Sequence, residues 1–263
     1  LVSPVCHALE LLHAACDALS GSLRAATHAA AHRRLRGLEL LVGVDRRQGP
    51  DGQDGEHDGE ETGLDTLRRA LDGLHLPQAQ VRAVQLPCVF AQAMTVLKRA
   101  LQDIEPDIVL ALGQAEGRSD ISVERIAINI MDARIADNAG AQPIDQPVVV
   151  DGPAAYFSTL PIKKLATALK QLGYPAAISQ TAGTFVCNQV FYGLQHALQG
   201  QGVMSGFVHV PLTPLQASQR TGATLASMST ETLKEALVCA LQVLVKHAQE
   251  GGTDAQISMG ATH

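Results

Sequence analysis

A cysteine, a histidine and a glutamate lie in three separate apolar stretches of the chain. Cys187 follows the loop QTAGTF at the start of a helical pattern, His209 lies in GFVHVPL, and Glu124 lies in ISVERIAINI. The dipole and the unpaired N–H groups of a helix start stabilise a thiolate, so we expect a lowered pKa for Cys187 and a place there for an oxyanion. An imidazole next to such a thiol would act as the general base that activates the thiol as a nucleophile.

Each of these residues also has a purely structural interpretation. Cys187 lies on the apolar stripe of its helix, and free cysteine is among the most buried residue types. His209 could be a core histidine that the backbone satisfies, and Glu124 could lie at a solvated edge or pair with Arg125. The residue types alone leave packing and chemistry both open.

Helix and strand patterns alternate from about residue 65 onward. Helical spacing is found at 91–103, at 161–173 with Pro161 at the first helical position, from 187, and at 230–248. Strand patterns are found at 106–113, 121–130, 175–179 and 206–212. This alternation predicts an α/β fold, a three-layer α/β/α domain with a largely parallel twisted central sheet. Ligands bind beyond the carboxyl ends of strands in such sheets, so residues directly after strands are the candidates for a site.

The composition limits the classes of function. The net charge is −6 and no Lys/Arg-rich run is present, which argues against nucleic acid as a partner. Five widely spaced cysteines without a CxxC pair, and histidines without an HExxH pattern, predict no metal site, no cofactor and a reducing compartment. No apolar run approaches about 18 residues and no signal peptide is visible, so we predict a cytoplasmic protein that does not bind membranes.

The first part of the chain differs in composition from the rest. Residues 1 to about 60 contain no Phe, Tyr, Met, Ile, Asn or Lys, and the part that ends in RRQGPDGQDGEHDGEETG has the composition of a loop or a disordered segment. The stretch before it, through LRGLELL, has helical propensity. We therefore predict an atypical segment over 1–64, disordered or read from a non-native frame, followed by an α/β domain over 65–263.

Five ordered motifs resemble those of type I pyroglutamyl peptidase, the pyrrolidone-carboxylate peptidase family of cysteine peptidases. The motifs are GQAEGR, SVERIAINIMDARIADN, QPIDQPVVVDGPAAYFSTLPIKKL, TAGTFVCN and GFVHVPL, within about 66–250. The resemblance implies a single α/β/α domain, usually a homotetramer, that removes N-terminal pyroglutamate from peptides. It assigns Glu124, Cys187 and His209 as the catalytic triad, with a thioester intermediate on the cysteine.

The same resemblance assigns residues to the substrate pocket. Arg134 matches a position close to the reacting centre, and four further residues match positions that line the pyrrolidone pocket: Gln114, Ile135, Phe185 and Val186. An apolar slot suits a lactam, which has no ammonium group to pair, and an amide such as Gln114 could meet the ring N–H or C=O.

The beginning of the chain departs from the family pattern. The family opens with a first strand, a motif like TGFEPFGG and then NPS, whereas GPDGQDGEHDGEETGLD occupies those positions here and no phenylalanine precedes Phe90. Two other changes are Ala136, where the family usually has Pro, and Glu116, where it usually has Gly. One alternative is therefore a catalytically impaired remnant that lacks the first strand and the aromatic lid, and acts at most as an interaction protein. Another is a cysteine hydrolase with a pocket for a different acyl group.

Overall fold

The computed structural model of the protein describes residues 38–45, 63–220 and 225–261 of the chain. The helices are α1 Gly63–Leu71, α2 Phe90–Ile104, α3 Ile162–Gln171, α4 Val186–Leu198, α5 Pro214–Ser218 and α6 Thr230–Glu250. The strands are β1 Leu38–Asp45, β2 His75–Leu76, β3 Ala79–Pro87, β4 Ile108–Gln114, β5 Ile121–Glu124, β6 Ile126–Ile128, β7 Ala155–Phe157, β8 Ala176–Ser179 and β9 Met204–Val210.

The main sheet has the strand order β2-β3-β1-β4-β9-β5-β8, and β6 and β7 form a separate antiparallel pair. Within the described residues, neighbours are parallel at β3–β1, β1–β4, β4–β9 and β5–β8, and antiparallel at β2–β3 and β9–β5. Helices cover both faces, so the predicted three-layer α/β/α fold with a largely parallel sheet is confirmed.

The apolar run of β4 faces two cores. Leu110 and Leu112 are fully buried in the core under α1, α3 and α6, whereas Val109 and Ala111 lie in the core under α2 and α4. A strand buried on both faces reads as a continuous apolar run because alternate side chains point to opposite layers. Each fully buried aliphatic side chain contributes about 1.5–3 kcal/mol, which holds β4 in the interior of the sheet.

Strand β1 fills an interior position of the sheet, between β3 and β4. Leu40 is paired with Ala83 on one side and with Leu110 on the other, both in parallel register. The prediction that the first strand is missing, and that this stretch is helical by propensity, is therefore wrong. Two parallel neighbours fix the backbone here, and such long-range pairing overrides a helical preference of a few tenths of a kcal/mol per residue (about 0–0.7).

The remainder of the atypical segment, residues 1–37 and 46–62, lies outside the described residues. The boundary between residues 64 and 65 stays a prediction, although β1 of the main sheet falls on its N-terminal side and α1 begins at Gly63. The positions at which the family motif TGFEPFGG should stand are also largely outside the described part of the chain.

The single strand predicted over 121–130 is in fact two strands in two sheets. β5 ends at Glu124 and β6 begins at Ile126, where the chain leaves the main sheet to pair with β7. Pro161 is the N-cap of α3 rather than its first helical residue. The described residues contain no helix long and apolar enough to cross a membrane.

Candidate active site

Glu124 and His209 form a buried hydrogen bond between neighbouring strands. Glu124 Oε1 lies 2.7 Å from His209 Nδ1, and both side chains are almost completely buried. Ser122 is the antiparallel partner of His209, so Glu124, two residues further along β5, reaches the imidazole diagonally on the same face of the sheet. An ionised carboxylate can only accept, so Nδ1–H donates and Nε2 keeps the free lone pair of a base.

The sulfur of Cys187 lies over the neighbouring strand on that same face. A Cβ placed on Gly113 of β4 would be 3.0 Å from Cys187 Sγ, and Gly113 is the parallel partner of His209. Adjacent strands are about 4.8 Å apart, so the thiol and the imidazole occupy neighbouring positions at the same level of the sheet. The structure thus brings the three predicted catalytic residues to one place.

The electrostatic environment of Cys187 differs from the one predicted at a helix start. Burial raises the pKa of the Cys187 thiol above its ordinary value, Cys88 and Glu124 raise it further, and a backbone N–H lowers it only in part. The lowered pKa that we expected is therefore wrong, because desolvation of a buried thiolate outweighs the helix end. The sulfur keeps its proton at neutral pH and needs a base to remove it.

Arg118 is a part of this site that sequence reasoning missed. Its Nη2 lies 3.3 Å from Glu124 Oε1 and donates to the carbonyl oxygen of Thr181 at 3.1 Å, in the loop that leads to Cys187. The ion pair of Glu124 is thus with Arg118 and not with the adjacent Arg125 proposed as the structural alternative. The sequence feature that could have identified Arg118 is its place six positions before Glu124 in GQAEGRSDISVE.

Because Gly113 has no side chain, the Cys187 sulfur can lie directly over β4, and a substitution at Gly113 should therefore displace the sulfur. A Cβ at Gly113 would lie 2.8 Å from Phe207 Cζ as well as 3.0 Å from Cys187 Sγ, so both buried side chains would have to move. We expect Gly113→Ala to lower kcat/KM for a reaction at the Cys187 sulfur by about 100-fold, the scale of a 1 Å misplacement of a reacting group. Gly260→Ala, where a Cβ meets nothing within 4 Å, is the matched control. Normal kinetics in Gly113→Ala would show that the sulfur does not act at this position.

Two polar side chains hold the segments that carry the site. Asp137 accepts hydrogen bonds from the backbone N–H groups of Phe90, Ala139 and Ala141 at 2.8–2.9 Å, which fixes its loop to the start of α2. Asn188, directly after Cys187, donates to the carbonyl oxygen of Ile128 and accepts from its N–H. In the polar loop 132–138, Asp137 therefore fixes the loop structure.

The residues assigned to the substrate pocket have different surroundings. Gln114 ends β4 next to Gly113, and Phe185 and Val186 directly precede Cys187 in the chain. Phe185 packs edge-to-face on Phe90 with 5.2 Å between ring centroids, and Val186 is fully buried in the core under α2 and α4.

The other two assigned residues lie in the loop after β6. Ile135 is half-buried, and Arg134 is exposed. Within the described residues, neither side chain forms a hydrogen bond or an ion pair with Glu124 or His209, so the roles of Arg134 and Ile135 stay predictions. In the parts of the chain that the structure describes, no group of three or more His, Cys, Asp or Glu residues could hold a metal ion.

The backbone at the start of α4 places N–H donors beside the sulfur. The N-cap of α4, Phe185, has extended backbone angles and makes no capping hydrogen bond through its side chain. The first N–H groups of a helix have no partner within the helix itself, so a helix start is a position where a negatively charged oxygen can be held. A carbonyl oxygen held there would lie within reach of a nucleophile on the same turn.

Comparison with known proteins agrees with this arrangement. Residues 64–247 match the family described as "Pyroglutamyl peptidase". The pyrrolidone-carboxylate peptidase of Klebsiella pneumoniae (strain 342) is 53% identical over 196 residues, covering 74% of this chain and 89% of that protein. The crystal structure of pyroglutamyl peptidase I from Bacillus amyloliquefaciens superposes with a TM-score of 0.75 at 35% identity, covering 85% of this chain and 100% of that one. The structure of pyrrolidone carboxyl peptidase from Thermococcus litoralis superposes with a TM-score of 0.75 at 34% identity, covering 84% of this chain and 99% of that one.

The three-layer fold and these matches define an α/β cysteine peptidase. Within that class the chain belongs to the pyroglutamyl peptidase family, because the family match spans most of its length and relatives are about half identical to it. The resemblance of the five sequence motifs is thereby confirmed.

Proposed function

We propose that the protein is a cysteine exopeptidase that removes pyroglutamate, or 5-oxoproline, from the N-terminus of peptides. The observation that carries the proposal is the buried 2.7 Å hydrogen bond between Glu124 and His209, one strand away from the Cys187 sulfur. The names of the relatives, pyrrolidone-carboxylate peptidase and pyroglutamyl peptidase, supply the substrate class.

Acylation starts with the proton of the Cys187 thiol. Because burial raises the pKa of this thiol, His209 Nε2 takes the proton as the sulfur attacks the carbonyl carbon between pyroglutamate and the next residue. The negative oxygen of the tetrahedral intermediate is held by the Cys187 N–H, with Arg134 as a further donor. When the C–N bond breaks, His209 returns the proton to the leaving amine and a thioester remains.

Deacylation repeats these steps with water. His209 removes a proton from the water as its oxygen attacks the thioester carbonyl, and the C–S bond then breaks to give free pyroglutamate and the thiol. Glu124 orients the imidazole and stabilises its positive charge throughout. Arg118 contacts the same oxygen of Glu124, Oε1, that accepts from His209, through the ion pair described above.

Specificity rests on an apolar slot beside the sulfur. Phe185, Val186 and Ile135 are the proposed walls, and Gln114 is the proposed polar contact to the ring. The alternative of a catalytically impaired remnant was based in part on a missing first strand. That argument no longer applies, because β1 occupies the position of the first strand in the sheet. No observation favours a pocket for a different acyl group.

The proposal is tested by hydrolysis of fluorogenic amides with purified full-length protein. We expect release of the fluorophore from a pyroglutamyl amide, and at least about 100-fold slower release from the matched prolyl amide, whose charged ring nitrogen would have to enter an apolar slot. A folded protein that cleaves neither amide would rule the proposal out and favour the catalytically impaired alternative.

We also propose a cytoplasmic homo-oligomer, a tetramer as in the family. Three large apolar side chains between β6 and the end of β7 are exposed by 67–74%, which suits a surface covered by further copies: Ile144, Val150 and Phe157. The three cysteines in the described part of the chain form no disulfide bond, which suits a reducing compartment: Cys88, Cys187 and Cys239. Sedimentation equilibrium measures the number of copies.

A further inference from the structure

The Arg118 guanidinium joins two parts of the site that come from different segments of the chain. Its Nη2 donates at 3.3 Å to Glu124 Oε1 at the end of β5, and at 3.1 Å to the carbonyl oxygen of Thr181 in the loop between β8 and α4. Its Nη1 donates to Ser122 Oγ at 3.3 Å. One side chain therefore connects the carboxylate that orients the imidazole with the loop that leads to the sulfur.

Arg118 also supplies the counter-charge of Glu124. The Glu124 side chain is 0% exposed, and among the described residues its ion-pair partners are His209 and Arg118. A buried carboxylate is costly unless a positive group lies beside it. His209 must be neutral when it takes the proton of the thiol, so at that step Arg118 is the positive partner of Glu124.

The contacts of the Glu124 carboxylate all fall on one of its two oxygens. Oε1 lies 2.7 Å from His209 Nδ1 and 3.3 Å from Arg118 Nη2, whereas Oε2 is buried and forms no hydrogen bond within the described residues. The imidazole has the shorter contact, so the guanidinium adds charge without replacing the Nδ1–H donor. In the described structure, the hydrogen bonds that set the rotation of the carboxylate are these two.

The other end of the link is a loop with its own local hydrogen bonds. Ser179 is the parallel partner of Glu124 at the end of β8. Its Oγ donates to the Thr181 carbonyl oxygen at 3.0 Å and accepts from the Thr181 N–H at 3.3 Å. Ser179 thus fixes the shape of this turn, whereas Arg118 fixes the turn relative to the Glu124 carboxylate.

We propose that Arg118 is a positioning residue for the peptidase reaction, which acts through Glu124 by balancing its charge and fixing its orientation toward His209. The inference rests on the proposed function and adds a residue to the site that performs it. Because Arg118 acts at a carboxylate that serves the imidazole, loss of the guanidinium should impair proton transfer more than substrate binding. The effect should therefore fall on kcat and not on KM.

The first test is the steady-state kinetics of Arg118→Gln with the pyroglutamyl amide. We expect kcat to fall by about 10–100-fold and KM to stay within about twofold of wild type, the pattern of an interaction made mainly in the transition state. The Arg118 side chain is 31% exposed, so its replacement leaves no closed cavity in the core. Arg99→Gln removes an exposed arginine that pairs with Asp103 on α2, and this matched control should keep wild-type kinetics.

A double-mutant cycle separates action through Glu124 from a general effect on the fold. In the Glu124→Gln background no carboxylate is left to position, so the addition of Arg118→Gln should change kcat by less than about threefold. A residue that only supported the loop would cost the same factor in both backgrounds. Arg118→Lys keeps the charge but not the planar fork that reaches both acceptors, so its kcat should lie between those of wild type and Arg118→Gln. If Arg118→Gln does not fold, Arg118→Lys replaces it in the cycle.

Alkylation of Cys187 by iodoacetamide gives a measurement that needs no peptide substrate. The reagent reports how readily His209 takes the proton of the thiol, and peptide mapping by mass spectrometry separates Cys187 from the other cysteines. We expect alkylation of Cys187 to slow in Arg118→Gln by about the same 10–100-fold as kcat, and to be unchanged in Arg99→Gln.

The outcomes distinguish the inference from the proposed function. Wild-type kinetics in Arg118→Gln, or an equal loss of kcat in the two backgrounds, overturns the inference and leaves the peptidase assignment intact. A folded wild-type protein that does not cleave the pyroglutamyl amide instead refutes the proposed function. The alkylation rates then still decide whether Arg118 acts on the reactivity of Cys187, and equal rates in wild type and Arg118→Gln overturn that role.

Discussion

Replacement of Cys187 by alanine is expected to abolish hydrolysis of the pyroglutamyl amide, with kcat/KM lowered by at least about 10,000-fold. Without the sulfur no thioester forms, and the remaining Glu124–His209 pair can only activate water, which is a far weaker route. The assay is fluorophore release at saturating and at low substrate concentrations. Loss of a small, buried side chain should change the thermal midpoint little, so the fall in rate reports chemistry.

Cys239→Ala is the matched control for this change. Cys239 is also a buried free thiol, but it lies in α6, in the core on the opposite face of the sheet. We expect its rate to stay within about twofold of wild type. Equal activity in Cys187→Ala would show that another group is the nucleophile.

Glu124→Gln is expected to lower kcat/KM by about 1,000- to 10,000-fold with little change in KM. The carboxylate accepts from His209 Nδ1 at 2.7 Å, and an amide of the same shape no longer stabilises the imidazolium that forms during acylation or fixes its tautomer. Removal of the anion also leaves the Arg118 charge without its ion-pair partner. Steady-state kinetics over a range of substrate concentrations separates kcat from KM.

Glu116→Gln makes the same chemical change at an exposed position. Glu116 lies in the same loop as Arg118 and pairs with Arg220 at 3.5 Å, at a surface where ion pairs contribute about 0–1 kcal/mol. Its kinetics should match wild type. If Glu124→Gln were as active as Glu116→Gln, the glutamate would have only a structural role.

The elements with strong local periodicity were predictable from the sequence. The continuous apolar run IVLAL predicts a strand that is buried on both faces, and the 3.6-residue spacing of apolar residues in α6 predicts a helix with one buried face. Strand β1 was not predictable in this way, because LELLVGVD contains good helix formers. Only the pairing of this segment with β3 and β4 makes it a strand. Long-range pairing cannot be read from a local window.

The candidate site was predictable as a set of residues but not as a set of contacts. Glu124 and His209 are 85 positions apart, and their hydrogen bond depends on the antiparallel register of β5 and β9. Arg125 is next to Glu124 in the sequence, whereas in the fold it is Arg118 that forms the ion pair with the carboxylate. The pKa of Cys187 depends on burial, which a helix-start pattern does not report.

The central claim is that the sulfur of Cys187 attacks the carbonyl next to a bound pyrrolidone ring. A chloromethyl ketone of pyroglutamate places its reactive carbon at that position, and peptide mapping by mass spectrometry locates the group that it alkylates. We predict one label per chain, on Cys187, in proportion to the loss of activity, with the prolyl chloromethyl ketone reacting at least about tenfold more slowly. Labelling of Cys88 or Cys239 instead, or full labelling with retained activity, would contradict the account.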